Sequence, residues 1–351
     1  MIRLSACFFS AAALAALSLS ASQILAQTPV PAAPTVHMPA APPQQPAGQS
    51  STSPAAQVPP AAPKLQGPPV FPKPNPANFT ATSPTADTVN AFLQENWGYD
   101  PNRMWQVQAI LNTQVQGLSK VVVFVGDKTG QQRPSALEFF VLPDGQHIIT
   151  GDQIVPFGAH PFANLRAEMQ QRADGPSRGA TAKDLELVEF ADLQCPHCRE
   201  AQANMDKLAT DFPKARIVFQ NDPIESIHPQ SERAAEYGVC VAKMGGNPAF
   251  FQYVAAVFEG QDGLDTPDGA TLTLNSAVTK AGQDPTKVAA CAAQPQTKAE
   301  IESSRTLAAS IGIDAVPTLV INGREVPANI PYETLKTIIQ YQAKIDGVSL
   351  Q

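Results

Sequence analysis

Two cysteines held two residues apart, Cys195-Pro196-His197-Cys198, are the part of this chain best equipped for chemistry. The pair reads as a redox-active dithiol at the start of a helix, although the same spacing also builds half of a zinc site. Disulfide exchange needs a thiolate, so one sulfur must be made acidic. Cys195 falls where the apolar run 185–190 gives way to a helical pattern over 200–208. Unpaired N–H groups at a helix N-terminus stabilise negative charge. Pro196 suits a first helical turn because it needs no N–H partner there, and His197 adds positive charge when protonated. Cys195 is therefore expected to be the exposed nucleophile. Cys198, one turn further and more buried, is expected to resolve mixed disulfides. No second cysteine pair stands at ligand spacing, so zinc is disfavoured and no metal is expected; the redox-active disulfide itself replaces a cofactor.

The flanking motifs strengthen this reading. Phe190-Ala191-Asp192-Leu193-Gln194 leads into the dithiol, and Val316-Pro317 precedes the apolar run Thr318-Leu319-Val320-Ile321 far downstream. From about Asp184 to the C-terminus the chain resembles the DsbA-like thioredoxin-fold proteins. The resemblance implies an α/β thioredoxin fold over 183–351 with a helical insertion at about 223–310. It also implies that Pro317 is cis and sits against the dithiol, where Val316 and Pro317 present an extended edge to a substrate backbone. Thioredoxin-fold proteins place a buried acid below the dithiol, and Glu189 fits that place better than Asp192, which is expected to face the loop. His228 reads as loop structure. The Pro-His pair between the cysteines and the Val before the proline are DsbA-like choices and point to an oxidising couple. Helical patterns over 232–243, 249–259, 275–282 and 298–310 form the insertion. Cys240 and Cys291 fall inside it without a local His cluster, so a structural disulfide is expected, with two independent buried thiols as the alternative.

What must position this domain is less regular. Arg3 precedes an apolar stretch over 6–25, which gives residues 1–26 the layout of a secretory signal cut after Ala26; an uncleaved anchor is the alternative. Export to a bacterial periplasm or cell envelope follows, with a soluble mature protein. Residues 27–84 hold roughly half of the 34 prolines and almost no charge, and read as an extended tether. A net charge of −7 without a basic cluster argues against a nucleic-acid partner.

Between tether and dithiol, residues 85–160 read as a small α+β domain: a helix capped by Thr85 or Asp87, then alternating runs separated by Asp127-Lys128-Thr129-Gly130 and Pro143-Asp144-Gly145. Gln116-Gly117-Leu118-Ser119-Lys120-Val121 and residues 140–152 resemble the N-terminal dimerisation domain of DsbC- and DsbG-type isomerases, which implies a homodimer; an unrelated accessory domain is the alternative. Residues 161–182 are expected to form a linker helix and a flexible hinge that hold the two domains apart. The combined expectation is an exported thiol–disulfide oxidoreductase or isomerase. Its clients would be unfolded or disulfide-containing exported proteins, and its partner a quinone-coupled oxidase or a transmembrane thiol reductase in the membrane. A dedicated reductase and a holding chaperone are the rival functions.

Overall fold

The computed structural model describes residue 68 and residues 70–130, 133–151 and 153–350. The expected signal at 1–26 and the tether up to 67 lie outside the described residues. The first folded unit opens with α1 (Ala86–Trp97), capped by the Thr85 hydroxyl, which accepts from the Thr88 N–H. An antiparallel meander follows in the order β1 (Arg103–Asn112), β2 (Ser119–Asp127), β3 (Ser135–Val141), β4 (His147–Thr150) and β5 (Gln153–Pro156). Strict alternation in β2 sends Val121, Val123 and Val125 inward, where Val89, Phe92 and Leu93 of α1 cover them. Each such fully buried side chain contributes about 1.5–3 kcal/mol.

The tether expectation fails at its end. Residues 70–84 lie on this sheet: Phe71 packs 6.1 Å from Phe124, the Phe79 backbone bridges to Ile110, and Thr80 and Ala81 donate to the Ile110 carbonyl. A bulge between Val107 and Ala109 leaves Gln108 as the extra residue, and its Nε2 donates to the Pro72 carbonyl. Two phenylalanines among the prolines supply the apolar anchors that the rest of the segment lacks.

The second unit comprises α2 (Ala163–Arg172), β6 (Ser177–Gly179), β7 (Glu186–Ala191), α3 (Pro196–Asp211), β8 (Arg216–Asn221), four insertion helices, β9 (Thr318–Ile321), β10 (Arg324–Pro327) and α8 (Tyr332–Ile345). The insertion helices are α4 (Ser231–Glu259), kinked at Gly246, then α5 (Pro267–Lys280), α6 (Pro285–Ala292) and α7 (Pro295–Ser310). Strand order is β10-β9-β7-β8-β6, with β7 parallel to β8 and antiparallel to β9. This is a thioredoxin fold with a helical insertion between β8 and β9. Both faces of the sheet are covered, so every residue of β7 is buried. Leu187 faces α3 and α8, meeting Met205, Leu208, Leu335 and Ile339, whereas Val188 and Phe190 face α2 and α7, meeting Met169 and Leu307.

The hinge expected at 161–182 is also corrected. Leu165, Met169 and Ala173 recur at helical spacing and pack on Phe190 and Leu307, and Ser177–Gly179 is itself an edge strand paired with β8. Of the apolar spacing Phe162, Leu165, Met169 that suggests a spacer helix, Leu165 and Met169 belong to a core face of this second unit. The two units also touch directly. Arg324, buried in β10, donates to the carbonyls of Glu95 and Asn96 at the end of α1, and the Tyr341 hydroxyl donates to the Gln94 carbonyl at 2.6 Å.

Candidate active site

The dithiol lies where β7 ends and α3 begins. Cys195 is the residue just before the helix, in extended conformation, and Pro196 occupies the first helical position. The N–H groups of Cys198 and Arg199 donate to the Cys195 carbonyl at 3.1 and 3.2 Å. Cys195 and Cys198 are the free cysteines among the described residues. Cys198 is fully buried and Cys195 is 5 % exposed, so the nucleophile expected on the surface is nearly covered. The cover comes from across the sheet, because the Val316 carbonyl oxygen lies 4.0 Å from Cys195 Sγ.

The two sulfurs differ sharply in acidity. A hydrogen bond from the Cys198 thiol is the largest influence on Cys195; burial opposes it, while the N–H groups of Cys198 and His197 and the charge of His228 add to it, leaving the Cys195 thiol at about 6. Burial pushes Cys198 far up, and the neighbouring Cys195 sulfur pushes it further. The Asp192 N–H points at Cys198 Sγ from 3.4 Å. Near neutral pH the arrangement therefore holds one thiolate and one thiol.

His197 is 64 % exposed and bonds Glu200 at 3.0 Å, the contact that chiefly raises its basicity; its charge and that of Cys195 also favour each other, and its backbone N–H adds support to the Cys195 thiolate. Glu189 lies on the α3 face of β7, 2 % exposed, with one oxygen accepting from Gln202 Nε2 at 2.8 Å. Burial pushes its carboxyl up to about 7 against that hydrogen bond. Gln202 Nε2 also reaches the Cys198 carbonyl at 3.4 Å, which links the acid to the dithiol turn. Asp192 was expected to face the loop. It is buried, and its side chain accepts from the N–H groups of Gln194 and Ile224 and from His228 Nδ1, all within 2.8 Å.

The Val316-Pro317 bond is cis, the Pro317 carbonyl accepts from the Ala328 N–H, and Val316 packs against the cluster that includes Cys195. The insertion braces the site from the other side. Gln261, buried at the start of a 3₁₀ turn, donates 3.0 Å bonds from Nε2 to the carbonyls of both Leu193 and Cys195. Arg199 reaches Asp262 at 2.8 Å. Sequence reasoning missed Gln261, Gln202 and His228. The first two carry no motif, and His228 was visible only as a lone His before a proline. Cys240 and Cys291 are joined, tying α4 to α6. Among the described residues there is no cluster of His, Cys, Asp and Glu able to hold a metal ion, and no helix long and apolar enough to cross a membrane.

Residues 171–341, just under half of the chain, match the model of a family described as Thioredoxin. Among curated proteins, the Na(+)/H(+) antiporter NhaA 3 of Salinispora tropica is 31 % identical over 91 residues, 26 % of this chain and 14 % of that protein. NhaA 1 of Mycolicibacterium vanbaalenii is 27 % identical over 156 residues, 42 % of this chain and 23 % of that protein. The chain thus spans less than a quarter of the length of either. Among solved structures, a thioredoxin-like oxidoreductase from Silicibacter pomeroyi is 23 % identical, with a TM-score of 0.44 over 51 % of this chain and 98 % of that one. The thiol-disulfide exchange protein alpha-DsbA2 from Wolbachia pipientis is 19 % identical, with a TM-score of 0.44 over 51 % of this chain and 96 % of that one. A periplasmic thioredoxin-like protein from Salmonella enterica serovar Typhimurium is 20 % identical, with a TM-score of 0.43 over 52 % of this chain and 97 % of that one.

Proposed function

We propose that this chain is an exported thiol–disulfide oxidoreductase that forms and rearranges disulfides in other exported proteins through Cys195 and Cys198. The observation that carries the reading is the split within the dithiol: Cys195 held at about 6 beside a buried Cys198 pushed far above an ordinary thiol. In the oxidising direction a client thiolate attacks Cys195 Sγ of the Cys195–Cys198 disulfide. The S–S bond breaks, and Cys198 leaves with the electron pair and takes up a proton. A second client thiolate then attacks the client sulfur of the mixed disulfide and expels Cys195 as a thiolate. The client is oxidised by two electrons and the enzyme reduced by two. An acidic Cys195 is a good leaving group and stabilises the reduced enzyme, which favours donation of disulfides over their reduction.

Isomerisation uses the reduced enzyme, whose Cys195 thiolate attacks a wrong client disulfide and is released when a client thiol displaces it. The Val316-Pro317 edge beside Cys195 would pair with the client backbone, a sequence-tolerant contact. Glu189, which burial brings to exchange its proton near neutral pH, would pass a proton to Cys198 through the Gln202 side of the site. Reoxidation would require a membrane redox partner. The meander β1–β5 would serve as a dimerisation domain like those of the DsbC-type isomerases, setting two dithiols around one cleft.

Refolding of a reduced and of a scrambled disulfide-containing substrate, with light scattering on the same sample, tests this reading. A dimer that restores activity to both substrates supports the full proposal. A monomer that oxidises but does not unscramble restricts it to an oxidase, and activity that survives loss of both cysteines would favour a holding chaperone.

A further inference from the structure

We infer that His228 is a positioning residue of the dithiol, held by Asp192 so that its positive charge faces the Cys195 thiolate and sets how readily the pair accepts electrons. The inference rests on the redox reading of Cys195 and Cys198 and adds to it a residue from outside the Cys-Pro-His-Cys motif.

The geometry starts at Asp192, three residues before the nucleophile. Its carboxyl group is fully buried and receives three donors: the N–H groups of Gln194 and Ile224 and, at 2.8 Å, Nδ1 of His228. Its own N–H points at Cys198 Sγ. One residue therefore ties the imidazole to the dithiol turn. His228 is 15 % exposed, and its N–H donates to the Ile224 carbonyl at 2.9 Å, closing the turn that follows β8. A carboxyl group that orients an imidazole is the arrangement by which proteins fix where a histidine's charge and proton are presented.

The other cations around the site are engaged elsewhere. His197 turns outward to Glu200 and Arg199 to Asp262. Arg305 on α7 acts on Asp222, which follows β8 and which burial pushes up to about 6; a hydrogen bond with Glu225, then burial, push Glu232 up. The charges of both histidines act on Cys195, that of His197 from a ring open to screening by solvent and that of His228 from a ring only 15 % exposed. Removing the His228 charge weakens the thiolate, which exists only in the reduced form. The reduced enzyme loses stabilisation, the disulfide gains relative to it, and the couple becomes more reducing.

The test compares full-length wild-type protein with His228→Gln, His228→Lys and His197→Gln. Thiolate absorbance against pH and equilibrium with glutathione are read for each. Gln keeps a donor for Asp192 without charge, and Lys keeps the charge without the ring. With the wild-type thiol at about 6, a rise of about one pH unit in His228→Gln lowers the thiolate population at pH 6 roughly fivefold. The glutathione equilibrium moves toward the disulfide in the same variant, His228→Lys stays near wild type, and His197→Gln moves less than His228→Gln. A His228→Gln titration and equilibrium matching wild type, or a larger change in His197→Gln, overturns the inference. If His228→Gln does not fold, a folded His228→Lys decides: a wild-type titration supports the charge role, and a shifted one overturns it. Failure of the wild-type dithiol to equilibrate with glutathione would instead reject the redox reading itself.

Discussion

The carbonyl oxygen of Val316 lies 4.0 Å from Cys195 Sγ although 121 positions separate the two residues. Antiparallel pairing of β9 with β7 creates this proximity, since Glu189 stands opposite Leu319 and Phe190 opposite Thr318 just before the two loops diverge. On the proposed function, a client chain joined to Cys195 would lie beside the Val316 backbone. Cys195→Ser is expected to abolish exchange. Cys198→Ser is expected to accumulate mixed disulfides through Cys195, because no second sulfur resolves them. Non-reducing electrophoresis followed by peptide mapping reads both outcomes, and adducts on Cys198 in the Cys195→Ser protein would reverse the roles.

Glu189 carries a cost that depends on pH. Its folded value of about 7 exceeds the ordinary 4.5, so the folded state binds more protons than the unfolded state between these values. Stability consequently falls as pH rises through that window and is lowest above it. Glu189→Gln removes the penalty and keeps a partner for Gln202. At pH 8 the variant is expected to be more stable than wild type by an amount on the order of 1–3 kcal/mol, with little difference at pH 4. Denaturant melts at the two pH values check this; a variant less stable at pH 8 would contradict the account.

Arg324 fastens the two units together. Its guanidinium caps the C-terminal carbonyls of α1, bonds Gln342 Oε1 at 2.9 Å and stacks 4.3 Å from the Phe162 ring. Arg324→Met leaves two helix-end carbonyls without that donor and is expected to cost about 2–4 kcal/mol. Hydrogen exchange should quicken at the end of α1 and along β10 while thiol reactivity at Cys195 stays unchanged. Unaltered exchange at α1 would show that the contact does not hold the units.

Much of this architecture is legible in the sequence because local chemistry decides it. The apolar run with Glu186 and Glu189 embedded in it and the Pro at the first helical turn specify a strand and a helix start, while the tight turn at Asn322-Gly323 between β9 and β10 is seen in the structure. The positive φ values of Asn322 and Gly323 are what such a turn demands, and a side chain at Gly323 would strike the Phe162 carbonyl. What the sequence hides is pairing across long separations. The spacing of Phe162, Leu165 and Met169 fits an exposed spacer as well as a core helix until Phe190 and Leu307 are seen against Leu165 and Met169. Likewise Gln261 acquires its role only because the insertion folds back over the Cys195 carbonyl.

The Cys240–Cys291 bond braces the insertion that holds Gln261 in place, closing a separation of 51 residues. Replacing both cysteines with Ala is expected to lower stability by about 2–4 kcal/mol through the greater freedom of the unfolded chain. Thermal melts of the double variant measure this. A change in melting temperature indistinguishable from zero would mean that helix packing alone holds α4 to α6.

The central claim is that Cys195 is an acidic thiol and Cys198 a protected one, and alkylation of the fully reduced protein across pH 4 to 9, with each cysteine quantified by peptide mapping, tests it most directly. The expected result is labelling of Cys195 that rises with a midpoint near 6 and levels off, while Cys198 stays unlabelled in the folded protein. Labelling of Cys198 first, or of Cys195 only in the range of an ordinary thiol at about 8.5, would contradict it.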